Sequence, residues 1–213
     1  MKIEALLPYL LPDVPGAPDI TARQALLLTA IEFCVKTHAW EEIQDPIPLE
    51  DGVNEYEIDL DPGVRVAAVK SVWMQDRQLT PKTMEEIALL IPNWQAAQSS
   101  TPMFYSAPAD LDYIRVYPIP LQPGDGKLTI RAAFAPTLQG STIPDAIINR
   151  YLEVLIAGAK SRLMVAPGKS WSNPQLAAYH QQKFDEGVNS AKIDVMHDKV
   201  QGSVRVKPVR FGF

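Results

Sequence analysis

The spacing of apolar residues changes twice along this chain, and that change limits the folds that the chain can adopt. Apolar residues recur at helical spacing in DITARQALLLTAIEFCVKTHAW, and again in IPDAIINRYLEVLIAGAKSRLMV and SNPQLAAYHQQKFDEGVNSAKIDVMH. Between these segments, apolar and polar residues alternate in short runs that prolines and glycines separate. A period of about 3.6 residues predicts amphipathic helices, and a period of about two predicts strands. The sequence therefore predicts an α+β fold.

The order of these segments predicts how the chain is divided. Helices before and after the strands would pack on each other, so the strands would form an insertion in a helical bundle. The predicted parts are the helical bundle, an inserted small antiparallel β-sheet module and an extended C-terminal arm. Their bounds are 1–48 with 137–198, 49–136 and 199–213, respectively.

The first helical segment predicts one broad buried face. Its members share helical spacing: Leu27, Ile31, Cys34 or Val35, and His38, with Leu26, Ala30 and Phe33 widening the face. Asp19 would accept hydrogen bonds from the free amide groups at the helix start. Thr21 and Gln24 offer an alternative pair with capping-box spacing.

Four strands and one short helix are predicted within the sheet module in addition to its turns. The alternation in EYEIDL predicts a strand, and the turn DPG would lead it into VRVAAVKSVWM as a hairpin. Thr83 and Glu86 have capping-box spacing and predict a short helix over TMEEIALL. DYIRVYPIP and KLTIRAAFAP predict two more strands.

Two helices are predicted after the module. Pro144 suits the first turn of one, and Asn173 before Pro174 would cap the other. Their inward faces consist of residues at helical spacing, namely Ile148, Leu152, Leu155 and Ala159 in the first, and Leu176, Tyr179 or His180, Phe184, Val188 and Val195 in the second.

Charge and cysteine content argue against several classes of protein. The formal net charge of -5 disfavours a protein that coats nucleic acid, because Lys and Arg drive binding to phosphates. The acids are concentrated early, with thirteen Asp or Glu against three Lys or Arg in residues 1–62. Cys34 is the single cysteine, so no intramolecular disulfide is possible. No apolar run approaches the roughly 18 residues of a membrane span, and we expect a soluble, unexported protein without membrane contact.

The sequence gives no positive sign of an enzyme. APGKSW ends like a phosphate-binding loop, but Leu163 stands where that motif needs a glycine, and a helix is predicted before it instead of a strand. His38, His180 and His197 lack the spacing of metal ligands, which favours packing or capping roles. Paired acids are typical of solvated faces, caps and turns. We therefore expect no catalytic residue, no metal and no cofactor.

The last fifteen residues, KVQGSVRVKPVRFGF, form the most unusual segment. They contain four Lys or Arg and no acid, and valines alternate with basic residues before Pro208. Such a chain end is either a solvated terminus or a segment that adds a strand or aromatic side chains to a partner. Its valines and two phenylalanines favour docking onto a partner.

Three segments together resemble the head-to-tail adaptor, or connector, proteins of short-tailed bacteriophages, which are related to the tail tubular protein often called A. The segments are PDITARQALLLTAIEFCVKTHAW, YIRVYPIP and PGKSWSNPQLAAYHQQKFDEGV. The resemblance spans most of residues 8–196, in the order helix, inserted sheet, helix, helix. It implies that PGKSW belongs to a corner between two bundle helices.

The resemblance implies a structural virion protein that forms a ring, usually dodecameric, between the portal and the tail. The ring would extend the DNA channel, through which DNA passes without sequence-specific binding, and would provide the platform for the tail. The implied partners are the portal protein, a tail nozzle or tail tube protein and further copies of the chain. Assembly would take place in the host cytoplasm.

Family members commonly hold the portal with a C-terminal extension, and residues 199–213 occupy that position here. The portal-binding residues that this implies are Val204, Arg205, Val206, Lys207, Val209, Arg210, Phe211 and Phe213. The alternative hypothesis is a monomeric, non-viral protein-binding module that captures a partner with its C-terminal tail. An enzyme ranks third.

Overall fold

The computed structural model describes residues 1–108, 112–122 and 124–197. Its helices are α1 Leu7–Leu10, α2 Asp19–Thr37, α3 Met84–Leu90, α4 Asp145–Met164 and α5 Pro174–Met196. Its strands are β1 Glu41–Ile43, β2 Ile47–Pro48, β3 Glu55–Glu57, β4 Val64–Met74, β5 Arg77–Gln78, β6 Thr80–Pro81, β7 Gln98–Ser99, β8 Phe104–Ser106, β9 Tyr113–Tyr117, β10 Ile119–Pro120 and β11 Lys127–Pro136. The predicted α+β class is confirmed. The predicted arm, 199–213, lies outside the described residues.

The strands form two larger sheets and one short pair. The first sheet has the order β1-β11-β4-β5, and β2 also pairs with β11. The second has the order β3-β9-β8-β6, and β7 pairs with β10. Pairing in the first sheet is antiparallel, whereas β6 with β8 and β7 with β10 are parallel. As a result, β1 and β3 both lie at sheet edges.

The predicted hairpin between EYEIDL and VRVAAVKSVWM is wrong. β3 pairs with β9, and β4 pairs with β11 from Val64 to Met74. The ten residues of β11 offer the eleven-residue β4 a far longer partner than the three residues of β3. The turn at Gly63 therefore carries the chain from one sheet to the other. Gly63 has a φ of +85°, and an added Cβ would lie 2.9 Å from the Cα of Gly140, so this turn requires glycine.

The first sheet packs on the helices through β11. Alternate residues of this strand are buried as predicted, namely Leu128, Ile130, Ala132 and Phe134. Ala133 and Ala135 are buried as well, because both faces of this half of the strand are covered. α2 lies against β11, and one cluster of buried side chains runs through helices and sheets. β1 and β2 precede residue 49 and pair with β11. The division into bundle and inserted module stays a prediction.

The start and end of α2 differ from the prediction. Pro18 occupies the N-cap position, and its carbonyl oxygen accepts hydrogen bonds from the amides of Thr21 and Ala22. No side chain caps the helix, so the predicted capping by Asp19 or Thr21 is wrong. His38 lies one residue beyond the helix in the left-handed conformation, with a φ of 55°. It terminates the helix instead of lying on its face.

The buried face of α2 is also rotated from the predicted one. Four predicted residues are buried, namely Leu26, Ala30, Phe33 and Cys34. Leu27 and Ile31 are only half-buried, and Val35 is exposed. Thr29 and Thr37 take their place in the core, because each hydroxyl donates a 2.7 Å hydrogen bond to a carbonyl oxygen four residues earlier. Both sides of this helix are apolar in sequence, so the hydrophobic period alone does not identify the inner one.

α4 and α5 form the closest contact of the bundle. An added Cβ on Gly158 would lie 2.5 Å from Cγ2 of Thr29 and 2.7 Å from Cδ2 of Phe184, so α2, α4 and α5 meet at this glycine. The inward residues confirmed as buried are Ile148, Leu155, Ala159, Phe184 and Val188. Leu152, His180 and Val195 are half-buried, whereas Leu176 and Tyr179 are exposed and were assigned to the wrong face.

The corner between α4 and α5 follows the prediction. Asn173 caps α5, where its Oδ1 accepts a 3.1 Å hydrogen bond from the amide of Leu176. The amide of Asn173 donates to the carbonyl oxygen of Met164, which closes the connection at 2.9 Å. Gly168 turns the chain with a φ of +70°, and Trp171 packs against the core. PGKSW is therefore a helix-helix corner that follows a helix, which does not provide the strand-and-loop context of a phosphate-binding motif.

Candidate interaction surfaces

The histidines lie apart from one another and serve packing or the ends of helices. Burial, with the charge of Lys70 nearby, holds the pKa of His38 below its ordinary value. Burial also lowers the pKa of His180, with help from Lys160. His197 lies at the C-terminal cap of α5. The described residues hold no group of three His, Cys, Asp or Glu side chains that could bind a metal ion.

Cys34 is unsuited to nucleophilic chemistry. Its side chain is fully buried in α2, and burial raises the pKa of its thiol to about 12. The reactive thiolate is therefore absent at neutral pH. Among the described residues, no helix is long and apolar enough to cross a membrane. The features that remain are surfaces rather than a catalytic pocket.

One partly exposed apolar surface lies on α2. It consists of Ile20, Leu27, Ile31 and Val35, which follow one another at helical spacing and which we call the α2 stripe. Ile20 is 77% exposed and Val35 is 37% exposed, whereas Leu27 and Ile31 are half-buried and Leu27 packs against the core. Beside the stripe, Glu32 forms ion pairs with Lys36 and with Arg162 of α4. The sequence predicts Leu27, Ile31 and either Cys34 or Val35 as core, and the exposure of Ile20 and Val35 makes the stripe a candidate contact surface.

Exposed apolar side chains also lie near both ends of α5. They are Leu176 and Tyr179 near its start and Ile193 and Met196 near its end, which together we call the α5 row. The Lys183 ammonium lies 5.5 Å from the centre of the Tyr179 ring, in range of a cation–π contact. The exposed positions between the two pairs are polar, so α5 presents both apolar and charged surface.

Strands of both larger sheets line an open groove of about 1010 Å³. The segment from Trp40 to Pro48, which includes β1 and β2, lines one side, and β3 with the residues up to Asp61 lines the other. Seven exposed acids line this acidic groove: Glu42, Asp45, Glu50, Glu55, Glu57, Asp59 and Asp61. No Lys, Arg or His is among its lining residues.

Neighbouring side chains contact two of these carboxylates. Arg115 lies 2.8 Å from Glu55. Glu42 accepts a 2.8 Å hydrogen bond from the indole nitrogen of Trp40. Apolar side chains, including Ile43 and Ile47, lie between the acids. The groove therefore combines negative charge with apolar surface, which suits a segment that is both basic and apolar.

The sequence analysis did not find this groove, although it noted the acids that form it. All seven belong to the acid-rich residues 1–62. Their convergence depends on β1 joining the first sheet and β3 joining the second, and the predicted hairpin concealed this separation. The excess of acids in residues 1–62 is visible in the sequence, but the strand pairing that brings these acids together is not.

The C-terminal end of α5 lies beside this groove. A smaller cavity of about 510 Å³ is lined by β1 residues together with Asp194 and Val195 of α5. Arg150 holds Asp194 there with a 2.9 Å ion pair. Since Glu42 and Ile43 line both the cavity and the groove, the described chain ends next to the groove. The predicted portal-binding residues, Val204 to Phe213, lie outside the described residues and stay a prediction.

Comparison with known families identifies the kind of protein to which this fold belongs. The family model described as SU10 adaptor protein matches residues 3–207. A search of curated proteins gives no match. The matched family consists of structural phage adaptors and is not a family of enzymes; it implies a place in the virion and contact with other head or tail proteins. The match covers nearly the whole chain, and the chain thus belongs to the SU10 adaptor protein family of phage head-to-tail adaptors.

Proposed function

We propose that this chain forms a closed ring between the portal and the tail of a phage, where it extends the DNA channel and provides the platform for the tail. The observation that carries the proposal is the adaptor family match over residues 3–207. That match also weighs against the non-viral binding module. Assembly in the host cytoplasm, with a portal protein above and a tail nozzle or tail tube protein below, belongs to the same proposal.

The portal contact is assigned to residues 199–213. Their four basic residues and no acid give a net positive segment on a chain of net charge -5. Val204 and Val206 alternate with Arg205 and Lys207. In an extended conformation, alternate side chains face opposite sides, so one side would bury valines while the other meets acids or solvent.

The contact between subunits is assigned to the α2 stripe and the α5 row. Each subunit of a cyclic ring presents two different surfaces to its neighbours, because a head-to-tail contact is heterologous. The two apolar surfaces lie on different helices, and both contain exposed large side chains in the single chain. Burying them against neighbouring copies would remove large apolar side chains from water.

Passage of DNA is compatible with the charge of the chain. Phosphates bind where Lys and Arg accumulate, and a net acidic ring repels them. The chain has a net charge of -5 and carries the acidic groove, so a ring of it would have low affinity for DNA.

The portal contact is tested by sedimenting purified portal rings with the full-length chain and with residues 1–198. We expect the full-length chain to sediment with the portal and the shorter chain to remain largely in solution. A full-length variant with Val204→Asp, Val206→Asp and Phe211→Asp should behave like the shorter chain. Equal sedimentation of all three proteins would contradict the assignment of the arm.

The subunit contact is tested by a charge placed on the α2 stripe. Ile20→Asp with Val35→Asp should prevent a ring from forming on the portal, because both carboxylates would be buried between subunits. Leu89→Asp is the matched control, since Leu89 is 87% exposed and lies on α3, outside the proposed contact. Ring formation by the double variant, counted by electron microscopy, would place the subunit contact elsewhere.

A further inference from the structure

The acidic groove has no assigned role in the proposed ring, and the residues that line it restrict the kind of ligand that it could bind. It presents exposed carboxylates on both sides, with apolar residues between them and no basic residue in its lining. Like charges held this close together repel one another, and a basic ligand would relieve that repulsion. The groove is too open and too polar for a small apolar ligand. It suits an extended, basic and apolar peptide.

We propose that the acidic groove is the docking site of residues 199–213 of the same chain. This segment has the complementary composition, with four basic residues, no acid, and valines and phenylalanines between them. The groove acids lie in the first third of the sequence and the segment lies at its C-terminal end. The groove is acidic and the segment is basic, so their charges are complementary. This proposal goes beyond the proposed ring and does not depend on it.

The groove offers backbone as well as side-chain contacts. β1 and β3 are edge strands of different sheets, and both line the groove. An edge strand has unpaired backbone groups that an extended peptide can meet by adding one more strand. On β1, Ile43 is exposed and provides an apolar contact for a valine of the added strand. The neighbouring Glu42 and Asp45 provide contacts for Arg205 or Lys207.

The end of α5 lies close to the acidic groove, so the segment that follows it needs to cross only a short distance to dock within the same molecule. Asp194 and Val195, in the last turn of α5, line the same cavity as β1. Fifteen residues in an extended conformation span about 50 Å at roughly 3.3 Å per residue, which exceeds the length of a groove lined by three-residue strands. The segment therefore starts beside the groove and is long enough to follow it.

Docking of this kind would keep the segment on its own subunit until a partner competes for it. A basic, apolar segment that is free in solution would bind other acidic surfaces. The groove instead holds it by many exposed charge contacts, each of which is weak and sensitive to salt. A partner with a more apolar surface could then displace it without unfolding the sheet region.

The first test uses the full-length chain and a carbodiimide, which joins amines to carboxylates in direct contact. An equal mixture of unlabelled and ¹⁵N-labelled chains is treated, and crosslinked peptides are identified by mass spectrometry. We expect Lys199 or Lys207 to be joined to groove acids within chains of one label. The absence of such crosslinks would overturn the proposal. Crosslinks of which about half join chains of different label, the share that contact between copies gives in an equal mixture, would also overturn it, because the occupant would then be a second copy.

The second test measures tryptic cleavage at Arg205 and Arg210 in the full-length chain. Cleavage rate follows the undocked population, and each exposed charge contact contributes modestly, so Asp45→Asn, Glu57→Gln and Asp59→Asn together should speed cleavage about threefold or more. The control is Asp76→Asn, Glu85→Gln and Asp125→Asn, which changes the net charge equally at exposed positions outside the groove. Equal cleavage of the two variants, with unchanged circular dichroism, would overturn the proposal.

Discussion

The helical bundle is tightly packed, whereas the acidic groove is open and lined by like charges. At Gly158 the helices approach so closely that a single added carbon would lie within 3 Å of two neighbouring side chains. At the groove, two short edge strands are lined with like charges, and Arg115 forms an ion pair with one of them, Glu55. The bundle thus holds much of the packing that stabilises the subunit. Repulsion between the groove carboxylates lowers stability locally, but the groove offers charge and free strand edges for contacts with a partner.

Removing a fully buried aromatic side chain of the bundle tests this contrast most strongly. Phe184 is 1% exposed and lies against Gly158. Phe184→Ala should lower the free energy of unfolding by about 3 to 5 kcal/mol, because a cavity remains in a tightly packed site. Urea denaturation followed by circular dichroism measures the change. Tyr179→Ala on the exposed side of the same helix is the control, and similar losses in both variants would mean that the bundle is loosely packed.

Adding one methyl group tests the closeness of the helices directly. Gly158→Ala should destabilise the chain by about 1 to 3 kcal/mol despite the higher helix propensity of alanine, because Thr29 and Phe184 must move. Gly187→Ala should cost less, since the three atoms nearest to its added Cβ all belong to one side chain, that of Val154. Thermal melts of both variants give the comparison. A more stable Gly158→Ala chain would contradict the packing described for the bundle.

The N-terminal cap of α3 lies outside the bundle helices, and its removal tests whether the chain unfolds as one unit. Thr83 and Glu86 form a reciprocal capping box on α3, with hydrogen bonds of 3.2 and 2.9 Å. Thr83→Ala should lower stability by about 1 kcal/mol. If bundle and sheets unfold as one unit, the whole melting curve shifts. If the inserted module is a separate unit, hydrogen exchange should speed up only in the sheet region, which also tests the predicted division of the chain.

The smallest expected effect comes from the charges that join α2 to α4. Burial raises the pKa of Glu32, but hydrogen bonds and charges from Lys36 and Arg162 outweigh it and hold the pKa below its ordinary value of 4.5. A carboxyl with a lowered pKa stabilises the fold above its unfolded-state pKa and loses that contribution as the pH falls through the folded-state value. Glu32→Gln should therefore cost about 0.5 kcal/mol at neutral pH and nothing in strong acid. A cost that is equal at both pH values would indicate that the ion pairs contribute nothing.

The elements of the bundle could be predicted from sequence because their signals are local. Asn173 before Pro174 marks the start of α5, and Thr83 with Glu86 marks the start of α3; both caps are present in the structure. The corner at PGKSW was predicted from the helical pattern around it. Each of these features depends on residues that are near one another in the chain.

Features that depend on distant partners could not be predicted in the same way. β4 pairs with β11 instead of β3 because β11 is much the longer strand, and β11 lies more than fifty residues after β4 in the chain. The inner side of α2 depends on small residues such as Thr29 and Ala30 fitting against α4 and β11, since both sides of the helix are apolar. The acidic groove follows from the strand pairing, so it was hidden by the same error. The family resemblance, which draws on the whole order of elements, identified the adaptor family that no local motif showed.

The most direct measurement is cryo-electron microscopy of purified portal rings mixed with the full-length chain. The account predicts a closed ring of this chain on one end of the portal, with α2 and α5 at the contacts between subunits and residues 199–213 on the portal surface. Portal rings without added density, or with isolated copies that do not touch one another, would contradict the proposed ring.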